Sequence, residues 1–222
     1  DGVLRGRTGA LNRRIEGRVV EWHGQRPTPG IRWARAAINL NNLSYIRLVQ
    51  QDWAGAEHAA GQALALCERE SIEQTLPSLH LNLAAAATGA GRLDEAEHHC
   101  RASMALARAH LNRDIEANAA AQWVRVALAR GDLDTACRRL REALRLARAE
   151  PHRQARIDLL LSYLRIATAE GRIHPTRAWL HWYLEQPYLE PADRQAAQDC
   201  LARLGGDAPR EQAPGDSLDE ML

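Results

Sequence analysis

The chain contains no phenylalanine and no lysine, and aromatic residues make up only 5% of the sequence. All 29 basic residues are therefore arginines, which is typical of a GC-rich, bacterial genome. They are balanced by 28 acidic residues, so the formal net charge of +1 provides no overall field that would favour nucleic acid or an anionic membrane. No apolar run approaches the roughly 18 residues of a membrane span, and no basic-then-apolar leader opens the chain. We expect a cytoplasmic protein that binds no membrane and, through this segment, no nucleic acid directly.

Motifs that carry chemistry are also lacking. The four cysteines form no CxxC pair, so we expect reduced, buried thiols rather than disulfides. His98, His99 and Cys100 are adjacent, but successive residues on a helix point about 100° away from each other, so this trio cannot chelate one ion. There is no Gly-rich phosphate loop, no GxSxG elbow and no strand pattern. The sequence therefore predicts no metal, no cofactor and no enzymatic activity.

What the chain does contain is a pattern that returns every 40 residues. A turn column, in which each member stands 40 residues after the one before, holds Gln51, Gly91, Gly131 and Gly171. Five positions later a column of small residues holds Ala56, Ala96, Ala136 and Thr176. Four positions after that an apolar column holds Ala60, Cys100, Leu140 and Leu180. A fixed period of this length, with two helical apolar stripes around one turn, predicts stacked helical hairpins. The small column marks the crossing, because helices about 8–10 Å apart meet only where side chains are short.

These columns resemble tetratricopeptide repeats. The resemblance also uses a first-helix column of large residues, Leu43, Leu83, Trp123 and Tyr163. It covers roughly residues 32–187 and implies an all-α, right-handed superhelical solenoid of antiparallel helical hairpins. The period of 40 residues departs from the usual 34. The position at which the second helix usually carries a large aromatic residue is occupied here by the apolar column that begins at Ala60. Both departures, and the Asn41-Asn42-Leu43 opening, are similar to the long repeats of kinesin light chains and bacterial regulators.

The predicted organisation has four parts. Residues 1–31 form a leading helix and a Pro/Gly loop, 32–187 form four repeats, 188–204 form a capping helix, and 205–222 form a disordered acidic tail or linker. The leading helix is predicted from apolar residues on one helical face, Leu11, Ile15, Val19 and Trp22. The hairpin helices are predicted at about 32–48 and 53–69, 76–90 and 94–111, 114–130 and 133–150, and 152–170 and 174–186.

The candidate site lies on the first helices, which face the inner curve of such a solenoid. A polar column at the same period holds Asn42, Asn82, Gln122 and Ser162. In peptide-binding tetratricopeptide proteins the amide that matches Asn42 and Asn82 clasps the backbone of an extended ligand. Residues three and four positions from these amides lie on the same helix face. The resemblance therefore implies a concave ligand-binding face made of Asn42, Tyr45, Asn82, Asn118, Gln122, Arg125 and Arg165. In the alternative interpretation, these amides only hydrogen-bond neighbouring helices or water.

The sequence thus predicts a scaffold module that binds a peptide or protein segment on its concave face, with Arg125 and Arg165 contacting acidic groups of that ligand. The alternative function is the sensory or oligomerisation domain of a larger bacterial LuxR-type transcription regulator, although no helix-turn-helix pattern is present. A homodimer is left open.

Overall fold

The computed structural model of the chain describes residues 29–147, 153–172, 176–186, 189 and 191–205. Within these ranges the protein is all-α, with nine helices and no strand. The helices are α1 (Pro29–Val49), α2 (Trp53–Glu70), α3 (Leu76–Gly89), α4 (Leu93–Ala109), α5 (Arg113–Arg130), α6 (Leu133–Ala147), α7 (Arg153–Ala169), α8 (Thr176–Leu184) and α9 (Pro191–Arg203).

The all-α prediction is confirmed, and the predicted helix bounds agree with the structure to within about three residues. One difference is at the start of α1, which begins at Pro29 inside the predicted Pro/Gly loop. Proline is favourable there because its fixed φ suits the first turn and its missing amide hydrogen would have no partner. The predicted leading helix and the tail after Gly205 lie outside the described residues.

The turn column has one backbone conformation in all four repeats. Gln51, Gly91, Gly131 and Gly171 have φ angles of 59°, 76°, 77° and 71°, in the left-handed region. At the second of these turns, Gly91 N donates to Thr88 O at 3.1 Å and Arg92 N donates to Ala87 O at 2.9 Å. These bonds satisfy carbonyls that the end of α3 would otherwise leave without a partner. The period in the sequence is therefore also a period in backbone conformation.

Gly91→Ala should destabilise the protein by about 1–2 kcal/mol, because an L-residue is strained in the left-handed region. An added Cβ at Gly91 would meet no atom within 4 Å, so the loss should come from the backbone alone. Gly61→Ala is the matched control: its Cβ also meets nothing within 4 Å, but Gly61 lies inside α2, where alanine should stabilise by about 0.5–1 kcal/mol. Urea denaturation that gives both variants the same sign would contradict this account of the turn.

The chain divides into two compact units, residues 1–111 and 112–222. In the first unit, α1 packs on α2 and α3 packs on α4, while α3 also packs on both α1 and α2. In the second unit, α5 packs on α6, α7 packs on α5, α6 and α8, and α9 packs on α7 and α8. Each unit thus contains a helix pair followed by a helix that packs on both members of the pair.

The crossing column lies inside the packed helices. Ala56, Ala96 and Ala136 are fully buried, and Thr176 is only 2% exposed. At the first crossing, the buried hydroxyl Ser44 Oγ on α1 donates to Ala56 O on α2 at 2.8 Å. A larger residue in this column would separate two helices, which is why the column is restricted to small side chains.

Candidate ligand-binding faces

The first candidate face is an exposed stripe on α1. Within the described residues, five large apolar side chains are more than 40% exposed, and four of them lie on this helix: Ile31, Ile38, Tyr45 and Val49. Their spacings of four and seven residues place them, together with exposed Asn42, on one side of the helix. We call these five residues the α1 stripe.

The α1 stripe points away from the packed side of its helix. Ala37 and Ser44 are fully buried, and Ser44 hydrogen-bonds to α2. Helical geometry turns both residues about 100–120° away from Ile38. The stripe is therefore the face of α1 that α2 leaves uncovered, and it includes the predicted site residues Asn42 and Tyr45.

Asn82, on α3, is placed differently from Asn42, although the two share a column. It is only 8% exposed, and its Nδ2 donates to both Asn41 O and Asn41 Oδ1 on α1 at 3.1 Å. Its amide hydrogens thus join two neighbouring first helices, as in the alternative interpretation of the polar column.

The remaining predicted site residues lie in the second unit. Asn118 is exposed on α5, whereas Gln122 on the same helix is 4% exposed. Gln122 Oε1 accepts a hydrogen bond from Arg125 Nη1 at 3.3 Å. Arg165, on α7, is half-buried, and burial lowers its pKa, with a further lowering from the charge of Arg125. The charge of Arg125, on α5, thus affects the pKa of Arg165, on α7.

Ile31, Ile38 and Val49 were not among the residues that the sequence predicted for the ligand-binding face. A signal was available, since Ile31, Ile38 and Tyr45 follow one another at seven-residue intervals. It was weak because the equivalent position in the next repeat, Ser78, is polar, so the apolar stripe belongs to one helix and not to the repeat.

A histidine pair in the first unit was also missed. His80 Nδ1 on α3 lies 3.0 Å from His99 Nδ1 on α4, a hydrogen bond in which one ring donates and the other accepts. Burial lowers the pKa of His80 to about 4 and also lowers the pKa of His99. Throughout the part of the chain that the structure describes, no three His, Cys, Asp or Glu side chains are placed to hold a metal ion.

The histidine pair should make the protein less stable in acid. The folded-state pKa of His80, about 4, lies below its ordinary 6.5, so the neutral pair stabilises the fold fully above pH 6.5. This contribution should be lost as the pH falls from 6.5 through 4, by about 1–2 kcal/mol after allowance for partial exposure of the ring. Urea midpoints measured across this range test it.

His80→Gln should remove most of that acid loss, whereas His58→Gln, at an exposed position on α2, should leave it unchanged. Nearby ionisable groups also affect the pKa of His80: Glu68 raises it, while His98 lowers it. Equal acid sensitivity of the wild type and His80→Gln would show that the pair does not control it.

No helix in the described part of the chain is both long and apolar enough to cross a membrane. No protein-family model matches the chain, and a search of the curated proteins finds no match.

Proposed function

We propose that the chain is a recognition module that binds a peptide or protein segment along the α1 stripe. The observation that carries the proposal is the concentration of large exposed apolar side chains, including Ile38 and Tyr45, on one side of one helix. Scattered apolar residues are ordinary on a protein surface, but a contiguous apolar face is typical of an interaction site. Anchors spaced by three, four and seven residues are also typical of a helix face that binds a partner segment.

The charges of α1 indicate the chemistry of that segment. Arg32 and Arg35 are exposed near the start of the helix, which contains no acidic residue. The third arginine, Arg47, is paired with Asp52 at 2.6 Å. Two such helices from separate copies would repel each other, whereas an apolar segment flanked by acidic residues would be attracted. In the middle of the stripe, the Asn42 amide offers both a donor and an acceptor for the backbone of that segment. The expected ligand is therefore a segment with apolar anchors and acidic flanks.

The tetratricopeptide-like solenoid is part of the same proposal. Two observations support it: the left-handed conformation recurs at the turn column, and in each unit a helix packs on both members of the preceding pair. A solenoid in which each repeat contacts its neighbours is expected to show both features.

Retention of proteins from a bacterial lysate tests the function, with the wild type, Ile38→Arg and Leu111→Arg as baits. Leu111 is 88% exposed and outside the α1 stripe, so it controls for the general effect of an added arginine. We expect Ile38→Arg to retain at least about tenfold less specifically bound protein than the wild type, since it places a charge in the apolar contact. Leu111→Arg should retain as much as the wild type. Melting curves confirm that both variants fold.

Identical retention by all three baits would contradict the proposal. So would retained segments without acidic residues, because the charge of α1 would then have no role in recognition.

A further inference from the structure

One side of α1 is open, although the equivalent side is closed on α3 and on α7. Three columns of the repeat form this side, and on α3 and α7 none of its residues is more than 8% exposed: Leu79, Asn82, Ala86, Leu159, Ser162 and Ile166. The same columns on α1 hold Asn39, Asn42 and Ile46. Asn42 is exposed, and the other two are partly exposed.

On α3, this side is closed by the helix pair that comes before it in the chain. Leu79 belongs to a core cluster with Ala37 of α1 and Ala60 of α2. Asn82 Nδ2 donates to Asn41 O on α1 at 3.1 Å. In the second unit, α7 packs in the same way on the preceding pair, α5 and α6. This is therefore the side by which a first helix packs on the helices that precede it.

The helices that pack on α1 do not cover this side. In the described part of the chain, α1 packs on α2 and α3, which both follow it. Ala37 shares a core cluster with both helices, and it lies about 180° around α1 from Ile46, nine residues later. Asn39 and Ile46 each directly follow a residue of the α1 stripe, so they point about 100° away from it. We call Asn39 and Ile46 the open flank of α1.

From this placement we infer that residues 11–22 of the same chain, the leading segment, pack on the open flank as α2 packs on α3. Six residues, 23–28, separate this segment from the start of α1 at Pro29, and five residues, 71–75, join α2 to α3. Connections of this length join helices that lie side by side. The apolar residues that the segment would place on the flank share one helical face: Leu11, Ile15, Val19 and Trp22.

The charges indicate that this contact is apolar and not ionic. Residues 1–28 contain six arginines and three acidic residues, and α1 contains no acidic residue, so like charges oppose the contact. The short connection offsets this repulsion, because it holds the segment at an effective concentration in the millimolar range. Salt should therefore leave the contact intact or strengthen it, whereas salt should weaken the binding of an acidic segment to the α1 stripe.

A benzophenone amino acid at position 46 of the full chain tests the inference. After irradiation of the purified protein and digestion, mass spectrometry locates the links. We expect links to residues 11–22 of the same molecule, with a yield that stays constant when the protein is diluted from about 100 to about 1 μM. The yield should stay level or rise when sodium chloride is raised from about 0.05 to about 1 M. The same amino acid in place of Gln62, which is exposed on α2, should not link to the segment.

Val19→Arg should lower the yield from position 46 at least about fivefold, because it places a charge in the apolar contact. Val20→Arg is the matched control, since the next residue on a helix points about 100° away and leaves the apolar face intact. Melting curves confirm that the variants fold.

The inference is overturned if position 46 links to the segment no more than position 62 does, if dilution or salt lowers the yield, or if the two arginine variants give equal yields. None of these outcomes depends on a ligand at the α1 stripe, so this inference and the proposed function can fail separately.

Discussion

Leu79→Ala should lower the free energy of unfolding by about 2–5 kcal/mol, the largest change that we expect from a single substitution. Leu79 is fully buried on α3, in a cluster to which α2 contributes Ala60, Ala63, Leu66 and Cys67. Three of these four neighbours are short, and all are fixed on a helix, so they can fill only part of the space that the lost side chain leaves. The cavity should therefore persist, and urea denaturation should show the loss as a lower midpoint at an unchanged slope.

The matched control is Leu111→Ala, which removes the same atoms from a side chain that is 88% exposed. It should change stability by no more than about 0.5 kcal/mol. A loss below about 1 kcal/mol for Leu79→Ala would contradict the close packing of α3 on α2.

Ala96→Leu should destabilise the protein by about 1–3 kcal/mol, because it overfills the crossing of α3 and α4. Ala96 is fully buried at the position where the repeat keeps small residues, and a leucine there would force the two helices apart. Thermal melts measure the effect as a drop in Tm.

Ala54→Leu is the corresponding control, since Ala54 is exposed near the start of α2 and outside the crossing column. Leucine there should be neutral to within about 0.5 kcal/mol. Equal melting temperatures for Ala96→Leu and the wild type would mean that the crossing tolerates a large residue and that the column is small for another reason.

The sequence was a good guide to helices and turns because their signals are local. The turn column is an example: Gly91 and its equivalents mark left-handed positions, and Gln51 adopts the same conformation without being glycine. The start of α1 was misjudged by a few residues, because Pro29 was assigned to a loop although proline is also favourable in the first turn of a helix.

The candidate site could be predicted only in part. The 40-residue period places Asn42 and Asn82 in one column, but it does not determine how far one helix is shifted along the next. That shift brings the amide of Asn82 to Asn41 and leaves Asn42 exposed. The contact between His80 and His99 likewise joins residues on two helices, 19 positions apart, so no short motif announces it.

Site-specific photo-crosslinking tests the central claim, recognition by the α1 stripe, most directly. A benzophenone amino acid replaces Tyr45, which is 56% exposed within the stripe, or Leu111, which is 88% exposed elsewhere. After irradiation in lysate, mass spectrometry identifies the linked segments. The account predicts that position 45, and not position 111, captures a recurring set of segments with apolar and acidic residues. If the two positions capture the same segments, or position 45 captures none, α1 is not the recognition surface.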